Sequence, residues 1–584
     1  MNMKKIYSAA AAMLACLAAS AQNLNPTVEV TNTYRGNSSE VHKPQLDMAI
    51  PDSLLRFDMD FGYEVFDKPY QGAYNFKPYM LAMKPGKDAY RGRKLYLRAG
   101  AGYSLHPQLE FAFSPEQEGP FQMSVYATHK SYFGRYNVIK PVLEDDFFKL
   151  DRAEGKGFKG YDALTTAGFE GRYNFSEAIL NFGVGYYGLM SKDTLQSRHF
   201  NAVDFHLGAK SNKNDEKYLF YDVSLKGRFG SDGWKYSATD GNLREGVFRF
   251  DANVGPVLSY FHKLLVGLEA EGASYSDFFD VNAGRVAVVP KYVLESGRWN
   301  LSLGLRLEKL FRSGDSESLF EEKGNTIYPD VHAAFTVSDK VLLYAGVTGG
   351  ARMNTYSSMI ASNHHLTPFF GYDSLMDNSV EKMNVRAGVK GNLWSRLQFD
   401  LSGGGTKVLN GPLDYYATLS LLPAGVAYAD YSLIFADLLL GMDAGKVRLD
   451  GDLRYRKMSV ENDANGFMLP VLSGNLRAVY NFNPRVYAGV DIEAAGARKG
   501  NVIPLSYYME TLYGEGSLPF SSGYYVNQAR IPGYLDLGLV AGYRLNRKLD
   551  VWLESGNLLC ETIQRNPFYS EKDLWITAGI TRSL

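Results

Sequence analysis

The chain has 584 residues, 62 Lys and Arg against 63 Asp and Glu, 45% apolar residues, 41 Tyr and 34 Phe. That length suits several soluble domains or one large barrel, and the balanced charge, with no basic stripe and no zinc spacing, gives no footprint for nucleic acid. Beyond residue 21 no stretch reaches the roughly 18–20 consecutive apolar residues of a membrane helix, so any crossing is made by strands.

Lys4 and Lys5 precede an Ala-rich apolar run that ends in Ala19-Ser20-Ala21, which reads as a secretory signal peptide over 1–21. The rival reading, a lipoprotein box at Leu14-Ala15-Cys16, has the unfavourable Met13 and would cut the apolar core short. Removal of Cys16 with the signal leaves only Cys560, so no intramolecular disulfide is expected. Residues 22–91 carry Pro26, Pro44, Pro51, Pro69, Pro78 and Pro85 and a single alternating run, with Leu55, Phe57, Met59, Phe61, Tyr63 and Val65 on one face. This is one strand without a hairpin partner, in a periplasmic or lumenal segment, and it could add to a partner's sheet edge.

From residue 92 to the end one pattern repeats: apolar residues alternate with polar ones at a period of two. Leu95, Leu97, Ala99 and Ala101 oppose Arg98, Gly100 and Gly102, and Leu301, Leu303, Leu305 and Leu307 oppose Ser302, Gly304, Arg306 and Glu308. Leu449, Leu453 and Tyr455 oppose Arg448, Asp450, Asp452, Arg454 and Arg456, while Val490 and Ile492 oppose Asp491 and Glu493. Leu535 to Leu545, Leu549 to Leu553 and Leu574 to Leu584 close the chain in the same way.

Short and long connections alternate along the chain. Tight turns fall at 175–177, 261–263, 295–298, 338–340, 394–396, 443–446, 483–485 and 546–548, and longer polar linkers at 134–160, 231–245, 313–325, 358–382, 406–428, 500–532 and 562–573. This is the arrangement of an outer-membrane barrel, and it predicts an all-β fold of about 22 antiparallel strands over 92–584, with both termini periplasmic. A soluble sandwich or propeller would need two buried faces or a fixed blade repeat, and charges at alternate positions would be costly in its core. In a bilayer only a sheet without edges leaves no amide unpaired. Arg98, Arg306, Glu308, Arg448, Asp450, Asp452, Arg454, Arg456, Asp491 and Glu493 are then expected to line the lumen. Tyr103, Tyr186, Tyr455 and Tyr543 suit an interfacial girdle.

Candidate chemistry is sparse. Ser124 with His129, or Ser362 with His364, lacks an orienting third group. His364-His365 has no ligands at metal spacing and reads as a solvated loop pair, and Glu144-Asp145-Asp146 with Asp151 lacks a Gly-turned calcium loop. Neither enzyme activity, a cofactor nor a metal is expected.

The run Trp552-Leu553-Glu554-Ser555-Gly556-Asn557-Leu558-Leu559, followed by a loop and a strand with Gly579, resembles the end of TonB-dependent receptor barrels. Leu95-Tyr96-Leu97-Arg98-Ala99-Gly100-Ala101-Gly102 and His129-Lys130 are similar to TonB-receptor-like barrels of Bacteroidota that lack a full plug domain. The apolar terminal Leu584 resembles the signal read by the barrel assembly machinery, and Thr27-Val28-Glu29-Val30-Thr31 has the look of a TonB box. The resemblance implies an outer-membrane transport protein that passes or binds a polar solute through a lumen partly occluded by 22–91. Its implied partners are outer-membrane lipid, the assembly machinery, and TonB or another periplasmic or outer-membrane protein. The alternative is a structural or accessory barrel of an assembly or secretion complex.

Overall fold

A computed structural model describes residues 94–584 except for short stretches, the longest being 315–325, 367–376, 416–424 and 502–527. The expected leader 1–21 and segment 22–91, with Thr27, Val28, Glu29, Val30, Thr31 and the run Leu55 to Val65, lie outside the described residues.

The described chain forms an all-β antiparallel barrel of 22 strands. Each wall strand pairs with its sequence neighbour, from Leu95–Tyr103 through to Trp575–Ser583. The last strand returns to the first, in register from Tyr96 opposite Ser583 to Tyr103 opposite Ile576, which closes the sheet. At the seam the Leu584 carbonyl accepts the Leu95 amide at 3.0 Å, and the Leu584 amide donates to the Leu95 carbonyl at 2.9 Å. Three short strands, Gly466–Phe467, Arg498–Asn501 and Gln528–Ile531, lie outside this ring, and the last of them pairs in parallel with Phe148 and Lys149.

The alternation read from the sequence appears as two unlike faces. Ile576 and Ile580 are 39% and 51% exposed while Thr577 between them is fully buried. Leu303, Leu305 and Leu307 are exposed on the face opposite Arg306 and Glu308, and Tyr103, Tyr186, Tyr455 and Tyr543 are exposed as well. Unlike a soluble protein, the chain turns its large apolar side chains outward, as lipid requires. On the inner face of the seam, Trp552 lies in register with Gly579, which lies in register with Gly100. A Cβ at Gly579 would stand 2.4 Å from the Trp552 ring, and one at Gly100 2.5 Å from it. Only glycine lets the indole lie flat across the closing strands.

Strand length varies around the ring. Near the seam Leu549–Gly556 has 8 residues and Trp575–Ser583 has 9, about what one crossing needs. Phe121–Glu144 and Phe147–Asn174 have 24 and 28, so this hairpin rises well past a bilayer. Residues 134–160 and 231–245, read as linkers, are in fact the upper parts of paired hairpins. Water wets both faces there, so no face needs to be apolar and the period of two fades. The tight turn expected at 261–263 lies one residue earlier, since His262 already opens a strand.

Candidate functional site

Two features could serve a transport role: the charged inner wall, and a loop that packs into the tall end of the barrel.

All ten charged residues singled out on the strands form ion pairs. Arg98 meets Glu554 at 2.6 Å and stacks on Trp552, its guanidinium carbon 4.0 Å from the ring centroid. Arg306 meets Glu269 at 2.7 Å, and Glu308 meets Arg285 at 3.3 Å. Arg448 pairs with Asp450 at 3.1 Å, Arg454 with Asp452 at 3.1 Å, and Arg456 with Asp437 at 2.6 Å. Asp491 lies 3.7 Å from Arg477, and Glu493 lies 2.7 Å from Arg565 of the last loop. Sequence reading missed most of the partners, Glu269, Arg285, Asp437 and Arg565, which face the ten from neighbouring strands or loops. Strand register, which brings them together, is not visible in one strand's pattern.

The loop between Val341–Met353 and Asn378–Leu393 holds, among its described residues, one helix, α1 (Tyr356–Ser362). Its apolar residues Tyr356, Met359 and Ile360 have the i, i+3, i+4 spacing of a single face. All three are buried in a cluster with Leu150, Leu189, Phe200, Trp234, Leu243 and Val281 from the strands. Burial of each such side chain contributes about 1.5–3 kcal/mol. Thr355 gives the helix no side-chain cap; the Glu245 carboxylate accepts the Ser357 amide instead, at 3.1 and 3.2 Å. That satisfies a first-turn N–H that the loop itself leaves unpaired. The helix stops at Asn363, whose backbone is extended and whose side chain donates to Asp414 at 3.1 Å.

Beneath α1, Arg198 and Asp232 are both buried and 3.0 Å apart. Asp232 also accepts the Tyr356 hydroxyl, and Arg198 donates to the His364 carbonyl at 2.9 Å. Gln196 donates to the His365 carbonyl at 2.9 Å. Removing one partner of such a pair strands a buried charge, at about 3–5 kcal/mol.

The expectation that His364 and His365 are solvated is overturned, since their side chains are only 17% and 16% exposed. His364 sits 2.8 Å from Asp162, and the His365 ring stacks on Tyr569 with centroids 3.5 Å apart. Burial disfavours the His364 imidazolium, but Asp162 more than offsets it and raises its pKa. Burial, then the neighbouring charges of His364 and Arg198, hold His365 well below the ordinary histidine value. The loop after Gly556 meets α1's loop at this stack. It is pinned to the tall hairpin by Asn137, whose amide donates to Ser570 at 2.9 Å and whose side chain donates to Asp573 at 2.7 Å. Gln564 donates to the Leu150 carbonyl at 3.1 Å.

Other proposed chemistry does not assemble. His129 bonds Thr165 at 2.8 Å and Ser131 at 3.0 Å, and the Ser362 hydroxyl donates to Met359, so neither serine acquires a base and an orienting group. Lys149 pairs with Glu144 and Asp151 at 3.3 and 3.4 Å. Cys560 is free and exposed.

A closed 22-strand wall with an outer apolar belt and an ionised inner face is a fold that this chain shares with solved outer-membrane receptors and transporters. Among solved structures the chain is similar to the copper transporter OprC, at 12% identity and a TM-score of 0.59, covering 84% of this chain and 80% of that one. It is similar to the siderophore receptor PirA from Acinetobacter baumannii at 11% identity and a TM-score of 0.57, covering 84% and 80%. The ferripyoverdine receptor of the outer membrane of Pseudomonas aeruginosa matches at 12% and 0.57, covering 84% and 72%. No family model and no curated protein matches the sequence.

Proposed function

We propose that the chain is an outer-membrane transport protein of TonB-receptor type that passes or binds a polar solute through a lumen lined by the ten paired charges. The observation that carries the reading is the acid–base pairing along one face of a receptor-type barrel, from Arg98–Glu554 at the seam to Arg306–Glu269 on other strands. Such charges suit a wet passage and are costly in lipid. In this reading residues 1–21 direct export and the assembly machinery inserts the barrel. Both termini then lie in the periplasm, residues 22–91 partly occlude the lumen from that side, and Thr27 to Thr31 engages TonB by strand addition.

The opposite end carries its own closure. The α1 loop and the last loop fill it with a core that includes Leu366, Ile531 and Phe568. That core also favours a second reading, a structural barrel of an assembly complex whose Leu55 to Val65 run pairs with a partner. Planar-bilayer conductance of the full chain, of a variant lacking 22–91, of one with 354–377 replaced by a short link, and of one carrying both changes separates the two. Transport predicts that removing both closures opens a stable conductance. A silent barrel in every form, co-purifying with a stoichiometric partner, would sink the transport reading.

A further inference from the structure

The turns at the short-turn end of the barrel repeat one local rule. In six of them the last residue is a cation, Arg298, Lys340, Arg396, Lys446, Arg485 and Lys548. Each is followed at once by the apolar residue that opens the next strand: Trp299, Val341, Leu397, Val447, Val486 and Leu549. These six apolar residues have the parity of the outward face, the one that carries Leu303, Leu343, Leu401, Leu453 and Val551. All six cations are exposed, and none has a side-chain ion pair or hydrogen bond among the described residues. The rule fails elsewhere on this rim: the turn before Ala178 ends in Glu177, and Lys263 is paired with Glu295 at 3.0 Å. The cations therefore form an arc running from the strand Trp299–Gly314 round to the closing seam.

At the seam end of the arc an outer cleft of about 530 Å³ is lined by Asn546, Lys548, Leu549, Arg582 and Leu584. Arg582 follows the outward Ile580 at the belt's edge and, like Lys548, has no charged partner among the described residues. The Leu584 carbonyl oxygen is already held by the Lys94 and Leu95 amides.

We propose that this arc binds the anionic phosphate headgroups of membrane phospholipid, with the Lys548–Arg582 cleft as its tightest seat. A cation directly below an outward apolar side chain places its charge at headgroup depth while the neighbour contacts an acyl chain. An acidic soluble protein would meet the same charge but not the lipid-facing apolar half of the cleft. Successive turns lie two strands apart, roughly 10 Å along the rim, which leaves each cation its own headgroup. Each cation near an anionic headgroup layer contributes about a five-fold preference.

The test is native mass spectrometry of the full chain in detergent, titrated with phosphatidylglycerol or phosphatidylcholine. The proposal predicts at least ten-fold preferential retention of phosphatidylglycerol by the wild-type chain. It predicts a fall to the phosphatidylcholine level in R298Q/K340Q/R396Q/K446Q/R485Q/K548Q/R582Q, with heat-modifiable gel migration reporting that the barrel is folded. If that variant does not fold, Lys548→Gln alone should still lower retention about five-fold. Equal retention of the two lipids by the wild-type chain overturns the proposal. So does a preference abolished by millimolar inorganic phosphate, which marks a free-anion site, or by equimolar polyglutamate, which marks an acidic protein partner.

Discussion

The closing seam and the loop-filled tall end are built on opposite plans. At the seam, Leu549–Gly556 and Trp575–Ser583 are short, backbone pairing does most of the joining, and apolar side chains face outward. At the tall end, Tyr356, Met359, Ile360 and Leu366 are buried among strand residues as in a soluble core, over the charged pair Arg198–Asp232. The difference is one of solvent. Where lipid lies outside, the chain has nothing to gain by hiding apolar groups, but where water lies on both sides of the wall it buries them.

The largest test of the contrast is steric. Gly579→Val puts its Cβ 2.3 Å from the Ala99 carbonyl oxygen and 2.4 Å from the Trp552 ring, and overpacking costs about 1–3 kcal/mol or more. The expected outcome is a failure of seam closure, read as loss of the heat-modifiable band, with partial rescue by Trp552→Leu. Asp232→Ala strands Arg198 and should weaken the α1 loop by about 3–5 kcal/mol. Hydrogen exchange should rise over 354–366 while the seam strands stay protected; a rise at both would dissolve the contrast. Ile360→Ala should act on the same segment through the cavity it leaves, by about 2–4 kcal/mol.

A smaller effect follows from the two histidines. His364, raised in the fold, binds more protons folded than unfolded, so its stabilisation is complete below the unfolded value near 6.5 and is lost as pH rises through the folded value. His365, lowered in the fold, acts oppositely: its neutral folded form is favoured above about 6.5, and stability falls as pH drops below it. Protection of 354–366 should therefore peak between these limbs. His365→Gln should remove the acid limb, His364→Gln the alkaline one, and a flat profile in the wild-type chain would contradict both assignments. Least of all, Lys407→Gln, which removes an exposed pair with Glu461 at 2.9 Å, should change neither region measurably.

The sequence made the wall readable and the tall end opaque for the same physical reason. Lipid on one side and water on the other impose a period of two on Leu301 to Glu308 or Leu535 to Leu545, and the strand faces follow directly. Above the membrane that constraint lapses: Asp151 to Gly160 reads as a polar linker, yet Asp151, Arg152 and Gly157 to Gly160 pair across the hairpin as strand, around a register shift. In α1 the signal was present but short, a single turn of Tyr356, Met359 and Ile360 in a Ser-rich stretch. The solvated reading of His364-His365 failed because Asp162 and Tyr569, which enclose them, are far away in the chain. Arg198, Asp232 and Glu245 carry no local mark at all, since each looks like an ordinary polar strand residue.

The most direct test is a spin-label accessibility scan in a Cys560→Ser background, with single cysteines along Trp299–Gly314 and along Tyr356–Ser362, in lipid nanodiscs. The wall should show a period of two, with 303, 305 and 307 open to oxygen in lipid and the positions between them open to a water-soluble nickel probe. The helix should be shielded from both probes at 356, 359 and 360. Accessibility to the nickel probe at every position of Trp299–Gly314 would contradict the membrane wall, and uniform exposure of 356–362 would contradict the buried loop.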